Sequence, residues 1–252
     1  MAERNKSTQA IILSVMEQGE QNRSVRILSA DMGLFYATLY GGPKSKMRSL
    51  VQTFTSGTLW LYADEIKKTR KITDFDVENE HPSLRTNLYK LWAANLASEI
   101  LLKTKCAGEE HKAYILFKAF LDGIDISDEK EARLGTIRFL WRYLGMLGVR
   151  PPVDECAVCG NALGTMPAMY SPLSDGLLCK DCYYIEENTV HFFLGTESLA
   201  YLNAIETLTP GKVRAISINA QSVFELKTFM FFLIEEAVGS KLKSIETGMG
   251  IL

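Results

Sequence analysis

The sequence lacks the features that mark a secreted, membrane-spanning or disordered protein. Its first ten residues, MAERNKSTQA, contain no apolar segment of the kind that a secretory signal requires. No stretch approaches the ~18 uncharged apolar residues of a membrane span, and the longest apolar cluster runs only from Phe229 to Ile234. The 252 residues are 47% hydrophobic and 23% charged, which is typical of a folded globular chain. We therefore expect a cytoplasmic protein without membrane contact, built from one large domain or two smaller ones.

Catalytic motifs are also missing. The three histidines, His81, His111 and His191, are dispersed and match no pattern of a nucleophile with its base. Gly42-Pro-Lys-Ser45 lacks the preceding Gly-x4 segment of a phosphate-binding loop. Adjacent carboxylates occur only in runs that are typical of a protein surface, such as Glu109-Glu110. The sequence therefore predicts a protein that is not an enzyme.

Net charge is nearly balanced at −2, but the two ends of the chain differ in sign. Residues 1–72 contain 11 Lys and Arg against 6 Asp and Glu, whereas the other 180 residues contain 17 against 24. A basic first third that precedes an acidic remainder suggests two domains with different partners.

The first third of the chain has the pattern of short strands. Apolar, β-branched and aromatic runs alternate with turn-forming residues at Glu17–Asn22, Asp31–Gly33, Gly41–Pro43 and Ser56–Gly57. The predicted strands are Gln9–Met16, Val25–Leu28, Leu34–Tyr40, Leu50–Phe54, Thr58–Tyr62 and a last one near Lys71–Val77. About five short strands with no helical pattern favour a small closed barrel.

After Asp74–Glu80 the pattern becomes helical. We predict a first helix from an N-cap at Ser83 through Ile100, a second over Lys112–Leu121 and a third around Leu134–Leu144. Glu197–Leu208 and Ser222–Val238 are also predicted to be helical, and the last is apolar enough to be a buried central helix.

Four of the five cysteines form two Cys-x2-Cys pairs, Cys156/Cys159 and Cys179/Cys182, separated by 19 residues. This spacing is typical of a four-cysteine zinc site, in which four thiolates close the coordination sphere and leave a structural ion. The alternatives are a redox pair, an iron–sulfur cluster or a metal-free fold. The fifth cysteine, Cys106, stands alone, and we expect a buried, inert thiol.

The flanking residues of these motifs resemble the RecO family of bacterial recombination mediators. The N-terminal match includes Gly19-Glu20, Arg23, Gly33, Gly41 and Lys44-Ser45. Residues 144–160 and the segment from Tyr170 to Cys182 resemble the two halves of the family's zinc motif, and Gly239-x-x-Leu-Lys-Ser244 resembles its C-terminal signature. Each motif is weak alone, but the four occur in the family's order from end to end of the chain.

This resemblance implies an α+β protein of several domains. An N-terminal OB-fold barrel (residues 1–80) is expected before a mostly helical domain (81–252), with a four-cysteine zinc ribbon inserted at about 153–190. The resemblance also implies action on DNA without covalent chemistry. The family binds single- and double-stranded DNA, anneals complementary strands coated with single-strand-binding protein, and works with RecR to load RecA, which would place it at the nucleoid during repair.

An OB barrel binds nucleic acid through a basic groove and stacked aromatic rings. The predicted DNA-binding residues are Arg23, Arg26, Lys44, Lys46, Arg48, Lys67, Lys68, Arg70 and Lys71. The aromatic candidates are Phe35, Tyr36, Tyr40, Trp60 and Tyr62, with packing in the barrel core as the alternative for each.

In the helical domain, Arg138 and Arg142 lie one helical turn apart on a face that also holds Leu134. The family binds the acidic C-terminal tail of single-strand-binding protein through this domain, so these two arginines are the predicted partner-binding residues. Ion pairs with neighbouring acids are the alternative. A different class of function also stays open, because a barrel with a zinc ribbon could be a protein-binding adaptor or a component of the transcription or translation machinery.

Overall fold

A computed structural model describes residues 5–64, 66–164, 166–183 and 192–248. The chain divides into two compact units. The first extends to Ala132 and takes up the chain again from Leu242, and the second comprises Arg133–Lys241. His191 and residues 184–190 of the predicted ribbon segment lie outside the described residues, and the domain limits at 80 and at 153–190 stay predictions.

Five strands of the first unit close into a barrel. They are β1 (Asn5–Gln18), β2 (Asn22–Ser29), β3 (Gly33–Leu39), β4 (Ser56–Asp64) and β5 (Thr69–Asn79). Their order around the barrel is β1-β2-β3-β5-β4, and β1 closes it by pairing with both β2 and β4. Only β3 and β5 run parallel. This is the order of an OB fold, so the predicted barrel class is confirmed.

The barrel core follows from the two-residue alternation of the strands. Val25 and Ile27 of β2, Leu39 of β3, and Leu59 and Leu61 of β4 are all at most 1% exposed and form one apolar cluster. Long β1 supplies buried residues to two pairings, and its register shifts between Ile12 and Ser14. Such an irregularity lets one strand bend around a small barrel.

The strand predicted at Leu50–Phe54 is wrong. The helical turn α1 (Met47–Leu50) occupies the start of this segment, and the N–H of Val51 donates to the carbonyl of Met47. Phe54 has a φ of 66°. Both Val51 and Phe54 are buried, and apolar side chains that plug the barrel from a loop produce the same sequence pattern as a strand.

Helices α2 (Leu88–Lys103) and α3 (Glu110–Ile126) also belong to the first unit, and α4 (Glu129–Leu147) begins there. The predicted N-cap at Ser83 is wrong, because Asn87 caps α2 by accepting from the N–H of Lys90. Ser83 lies instead in a 3-10 turn and donates to the carbonyl of Asp125. Cys106, between α2 and α3, is fully buried, as predicted.

The second unit combines a small sheet with helices. Strands β6 (Ala168–Ser171), β7 (Gly176–Leu178) and β8 (Phe192–Leu194) pair in the order β7-β6-β8. The helices that follow β7 are α5 (Lys180–Tyr183), α6 (Thr196–Thr207), α7 (Pro210–Arg214) and α8 (Ala220–Val238). Helix α8 buries one face, which includes Phe229 and Ile234, whereas Phe224 on its other face is 58% exposed. The predicted central helix is therefore buried along one side.

The last helix, α9 (Lys243–Thr247), belongs to the first unit. The carboxylate of Glu99 on α2 accepts from the backbone N–H groups of Lys243 and Ser244, and Trp92 donates to the carbonyl of Ser244. The two bonds to Glu99 satisfy N–H groups at the start of α9, and the Trp92 bond ties a carbonyl of this helix to α2. No helix within the described residues is long and apolar enough to cross a membrane.

Candidate nucleic-acid interface and metal centre

The four paired cysteines converge on one point. The Sγ atoms of Cys156, Cys159, Cys179 and Cys182 all lie within 4.8 Å of one another. The sulfurs of Cys159 and Cys179 are 3.8 Å apart. Four sulfurs at about 2.3 Å from a central ion form a tetrahedron with edges of about 3.8 Å. This cluster has the composition and the spacing of a closed metal centre.

Local backbone geometry positions the first pair. The N–H of Gly160 donates to the carbonyl of Cys156, and Gly160 has a φ of 71°, which favours glycine. The N–H of Ala157 donates to the carbonyl of Leu177 on β7. A Cβ on Gly176 would come within 2.5 Å of the Ala157 side chain, so glycine permits the close approach of the two halves.

The environment of Cys156 favours its thiolate form. Burial alone would raise the pKa of this thiol, but hydrogen bonds from the backbone N–H groups of Cys159, Cys179 and Val158 lower it to about 6. A thiolate is the form that binds a metal ion. The cluster can therefore hold one cation, with Cys156 and Cys182 buried and Cys159 exposed.

In the barrel, strand pairing brings separate basic segments to the end of β3. Arg23 at the start of β2 pairs with Leu39, and Lys71 at the start of β5 pairs with Thr38. The β1–β2 turn and the β4–β5 turn therefore flank the end of β3 on opposite sides. The chain after β3 continues into the loop that carries Lys44 and Lys46, so basic residues from three segments share this end.

Within this set, the lysines are the accessible members. Lys44, Lys46, Lys67 and Lys68 are exposed, and none of them has an ion-pair partner among the residues that the structure describes. We refer to these four as the turn lysines. Lys71 is also exposed, and its Nζ lies 4.9 Å from the ring centroid of Tyr40.

The side chains of Arg23 and Arg48 are instead held by contacts with the turns at this end of the barrel. The Arg48 guanidinium donates to the carbonyls of Gly41 and Gln21 and lies 3.6 Å from Glu17. Arg23 donates to the same carboxylate at 3.0 Å and contacts the carbonyl of Arg48. Their side chains are only 20% and 13% exposed. These two arginines tie the β1–β2 turn to the loop after β3.

The aromatic candidates divide between core and surface. Phe35 is buried, with the Arg70 guanidinium 5.2 Å from its ring centroid. Tyr36 and Tyr40 are about half exposed, at 52% and 50%, and Trp60 is 37% exposed. Tyr36 lies directly opposite Arg26 in the β2–β3 pairing, and the two form a hydrogen bond. Tyr36 is exposed on β3, and Tyr40 follows directly after that strand beside Lys71.

The second unit holds an arginine cluster. Arg138 is only 6% exposed and donates to the hydroxyl of Tyr201 at 2.8 Å. Burial, together with the charges of Arg138 and Arg214, lowers the pKa of Arg142. Sequence reasoning missed Arg214 and Tyr201, since both are distant from α4 in the chain and only the fold brings them to it. The charges of Arg138 and Arg214 thus act on Arg142, and such repulsion between like charges favours a negatively charged ligand.

Comparison with known proteins assigns the N-terminal and the C-terminal parts of the chain to one family. A family profile described as "Recombination protein O N terminal" matches residues 1–79, and one described as "Recombination protein O C terminal" matches residues 85–246. The chain belongs to the RecO family. Its relatives are named DNA repair proteins, so the family assigns this chain a role in DNA repair.

Individual RecO proteins match over most of their length. DNA repair protein RecO of Oceanobacillus iheyensis is 24% identical over 216 residues, covering 84% of this chain and 82% of that protein. The Solidesulfovibrio magneticus RecO is 29% identical over 204 residues, with coverage of 79% and 82%. The Lactobacillus acidophilus RecO is 22% identical over 252 residues, with coverage of 97% and 96%. The predicted family is therefore confirmed.

Proposed function

We propose that this RecO-family chain is a non-enzymatic mediator of recombinational DNA repair. It binds single- and double-stranded DNA, anneals complementary strands, and with RecR helps to load RecA onto DNA coated by single-strand-binding protein. The observation that carries the proposal is the meeting of three basic segments at the end of β3, where the turn lysines are exposed and unpaired among the described residues.

The character of this surface favours a phosphate backbone over a defined small ligand. Lysine ammonium groups are point charges on flexible four-carbon stems and can follow a DNA strand, and each contacted phosphate releases counterions. Exposed tyrosines beside the charge can stack on bases of any sequence. Arg26, Arg70 and Lys71 each lie beside an aromatic ring, those of Tyr36, Phe35 and Tyr40 respectively. Arg23 and Arg48 contribute mainly by holding the turns in place.

We further propose that the cysteine cluster holds one structural Zn²⁺ per chain. Four soft thiolates in a closed set suit zinc and leave no position for a substrate or water. The sulfur spacing of 3.8 Å fits the expected tetrahedron edge. A zinc ion held by these four cysteines would crosslink the turn after Cys156 to the residues that follow β7 and would have a structural role.

The arginine cluster is the proposed site for the tail of single-strand-binding protein. An acidic peptide with a terminal carboxylate matches Arg142, which is partly exposed, and Arg214, which is exposed, while the buried Arg138 adds positive charge. This extends the predicted pair by one exposed residue, Arg214.

Two measurements separate this proposal from the adaptor alternative. Anisotropy titration with plain single- and double-stranded DNA should give saturable binding that weakens as salt rises. A strand-annealing assay on DNA coated with single-strand-binding protein should then show faster annealing with the protein present. Absence of DNA binding at low salt would favour an adaptor that acts through proteins alone. Binding without annealing would remove the mediator activity and leave a DNA-binding protein.

A further inference from the structure

A small cavity opens beside the outer face of β2 and β3 in the first unit. Its volume is about 250 Å³, and it is lined by Arg26, Leu34, Phe35, Tyr36 and Leu102. Cavities that enclose drug-sized ligands are about 300–1,000 Å³. The size therefore suits one flat ring better than a larger molecule.

The cavity has an aromatic wall with a cation beside it. Tyr36 is 52% exposed, so much of its ring is free to contact another molecule. The guanidinium carbon of Arg26 lies 4.9 Å from the centroid of this ring, and Arg26 donates to the Tyr36 hydroxyl. These contacts hold the ring in one orientation, which reduces the entropy that a stacking partner has to overcome.

One polar atom of the lining lacks a partner. The Nε of Arg26 is buried, and no acceptor for it occurs among the residues that the structure describes. A buried donor without an acceptor destabilises the fold, because it has lost its hydrogen bond to water. A ligand that brings a carbonyl oxygen or a ring nitrogen to this atom would remove that cost.

The cavity lies on the same strand as the basic end of the barrel. Tyr36 and Tyr40 point outward from the same side of the chain, about 13 Å apart for four residues of β-strand. Tyr40 contacts Lys71, and the loop with Lys44 and Lys46 follows directly. A single DNA strand whose phosphates contact the turn lysines would therefore extend its bases toward the cavity.

We propose that this cavity receives one unpaired nucleobase, which stacks on Tyr36 and presents an acceptor to the Nε of Arg26. Leu34 and Leu102 form the apolar part of the site, so the helix α2 contributes to a DNA site that the barrel alone would not complete. The inference rests on the proposed DNA binding by the barrel. Paired bases of a duplex present no free face, so the cavity gives single strands an advantage over duplexes.

The test compares two strands with equal numbers of phosphates. One is an oligothymidylate of about 12 nucleotides, within the site size of an OB fold, and the other is the same length of abasic spacer. The full-length protein should prefer the oligothymidylate by about fivefold or more, the size of one base–aromatic stack. Tyr36→Ala should lower this preference by the factor that one stack contributes, about fivefold, and leave the affinity for the abasic strand unchanged, because the turn lysines are intact.

Phe224→Ala is the matched control. Phe224 is an exposed aromatic residue with a cation, Lys227, 5.4 Å from its ring centroid, but it lies in the second unit. This variant should keep the full preference for bases. The inference is overturned if the unchanged protein binds both strands equally, if Tyr36→Ala keeps the preference, or if Phe224→Ala loses it too. Failure of the unchanged protein to bind either strand at low salt would overturn the proposed DNA binding itself.

A second variant keeps the Tyr36 ring and narrows the cavity beside it. Leu102→Trp places a larger side chain at the cavity wall, and Leu102 is only half-buried, so the fold can accept it. This variant should lose the preference for bases although Tyr36 and Arg26 are both present. Retention of the preference in a folded Leu102→Trp protein would show that bases bind outside the cavity.

Discussion

The two compact units hold positive charge in opposite ways. In the first unit, the turn lysines extend into solvent from separate segments. In the second, Arg138 is buried, donates to Tyr201, and acts with Arg214 on the pKa of Arg142. Exposed lysines suit a long polyanion of any sequence, whereas a fixed arginine cluster suits one defined anionic group. The proposed DNA site and the proposed peptide site therefore use different residues.

The largest effect is expected from loss of the metal centre, which should destabilise the second unit and leave the barrel unaffected. Cys156→Ser should lower bound zinc from one ion per chain to nearly none, because the serine hydroxyl is a poor ligand. Structural zinc contributes on the order of 10 kcal/mol in small domains, so we expect a loss of several kcal/mol from the second unit. Metal analysis and thermal unfolding measure this, and DNA affinity of the barrel should change little. Cys106→Ala is the control, because it removes a thiol in the first unit and should retain the metal.

The next prediction concerns the arginine cluster. Arg214→Ala should weaken binding of the tail peptide of single-strand-binding protein by about tenfold, the cost of one charge-assisted contact. Unfolding should be unchanged, because Arg214 is exposed. Peptide titration by calorimetry gives the affinity. Lys130→Ala removes the same charge from an exposed position at the start of α4 and should leave peptide affinity as it was. Equal losses in both variants would mean that the peptide senses net charge and no defined site.

A pH-dependent effect is expected at Asp122 in the first unit. Burial would raise the pKa of Asp122, but hydrogen bonds from His81, Lys118 and Asn79 hold it far below its usual range. The ionised Asp122 carboxylate therefore contributes its full stabilisation of the folded state above about pH 3.9, the pKa of an aspartate in the unfolded chain. This contribution is lost as pH falls below that value. Asp122→Asn should cost about 1–2 kcal/mol at neutral pH, allowing for solvent screening of this partly exposed carboxylate.

Urea unfolding at several pH values tests this sign. The difference between the unchanged protein and Asp122→Asn should narrow once pH falls below about 4. Glu80→Gln is the control, since Glu80 and Arg85 form an exposed pair at 3.7 Å that should contribute little. A gap that persists unchanged at acid pH would show that Asp122 acts through packing and not through its charge.

The smallest effect is a gain in stability. Lys105, Cys106 and Ala107 all have positive φ, between 49° and 56°, which side chains disfavour. Ala107→Gly should stabilise the first unit by about 0.5–1 kcal/mol, because glycine adopts this conformation without strain. Ala113→Gly, in the interior of α3, should have the opposite sign. If both substitutions destabilise, the packing of the Ala107 methyl group outweighs the backbone strain.

The regular features of the fold could be predicted from the sequence, and the irregular ones could not. Alternation located five barrel strands, and cysteine spacing identified the metal cluster. The strand prediction at Leu50–Phe54 fails because a buried loop and a strand share the same apolar pattern. The cap at Asn87 escapes prediction because Ser83 has equally suitable chemistry.

The binding surfaces were predictable only as sets of residues. Nothing local to Arg48 reveals that its guanidinium binds the carbonyls of Gly41 and Gln21, since those partners are set by the barrel register. Arg214 reaches the cluster only through the packing of α7. Charge and residue type thus indicate which side chains are available, while the tertiary fold decides which are free to bind.

The salt dependence of single-stranded DNA affinity tests the central claim most directly. Replacing the turn lysines together with Ala should reduce the slope of log affinity against log salt by about 0.7 for each phosphate that is no longer neutralised, or nearly 3 in total. Replacing Lys112, Lys130, Lys212 and Lys241 with Ala removes the same charge elsewhere and should leave the slope nearly unchanged. An equal change of slope in both fourfold variants, or no change in the turn-lysine variant, would contradict the proposed DNA path.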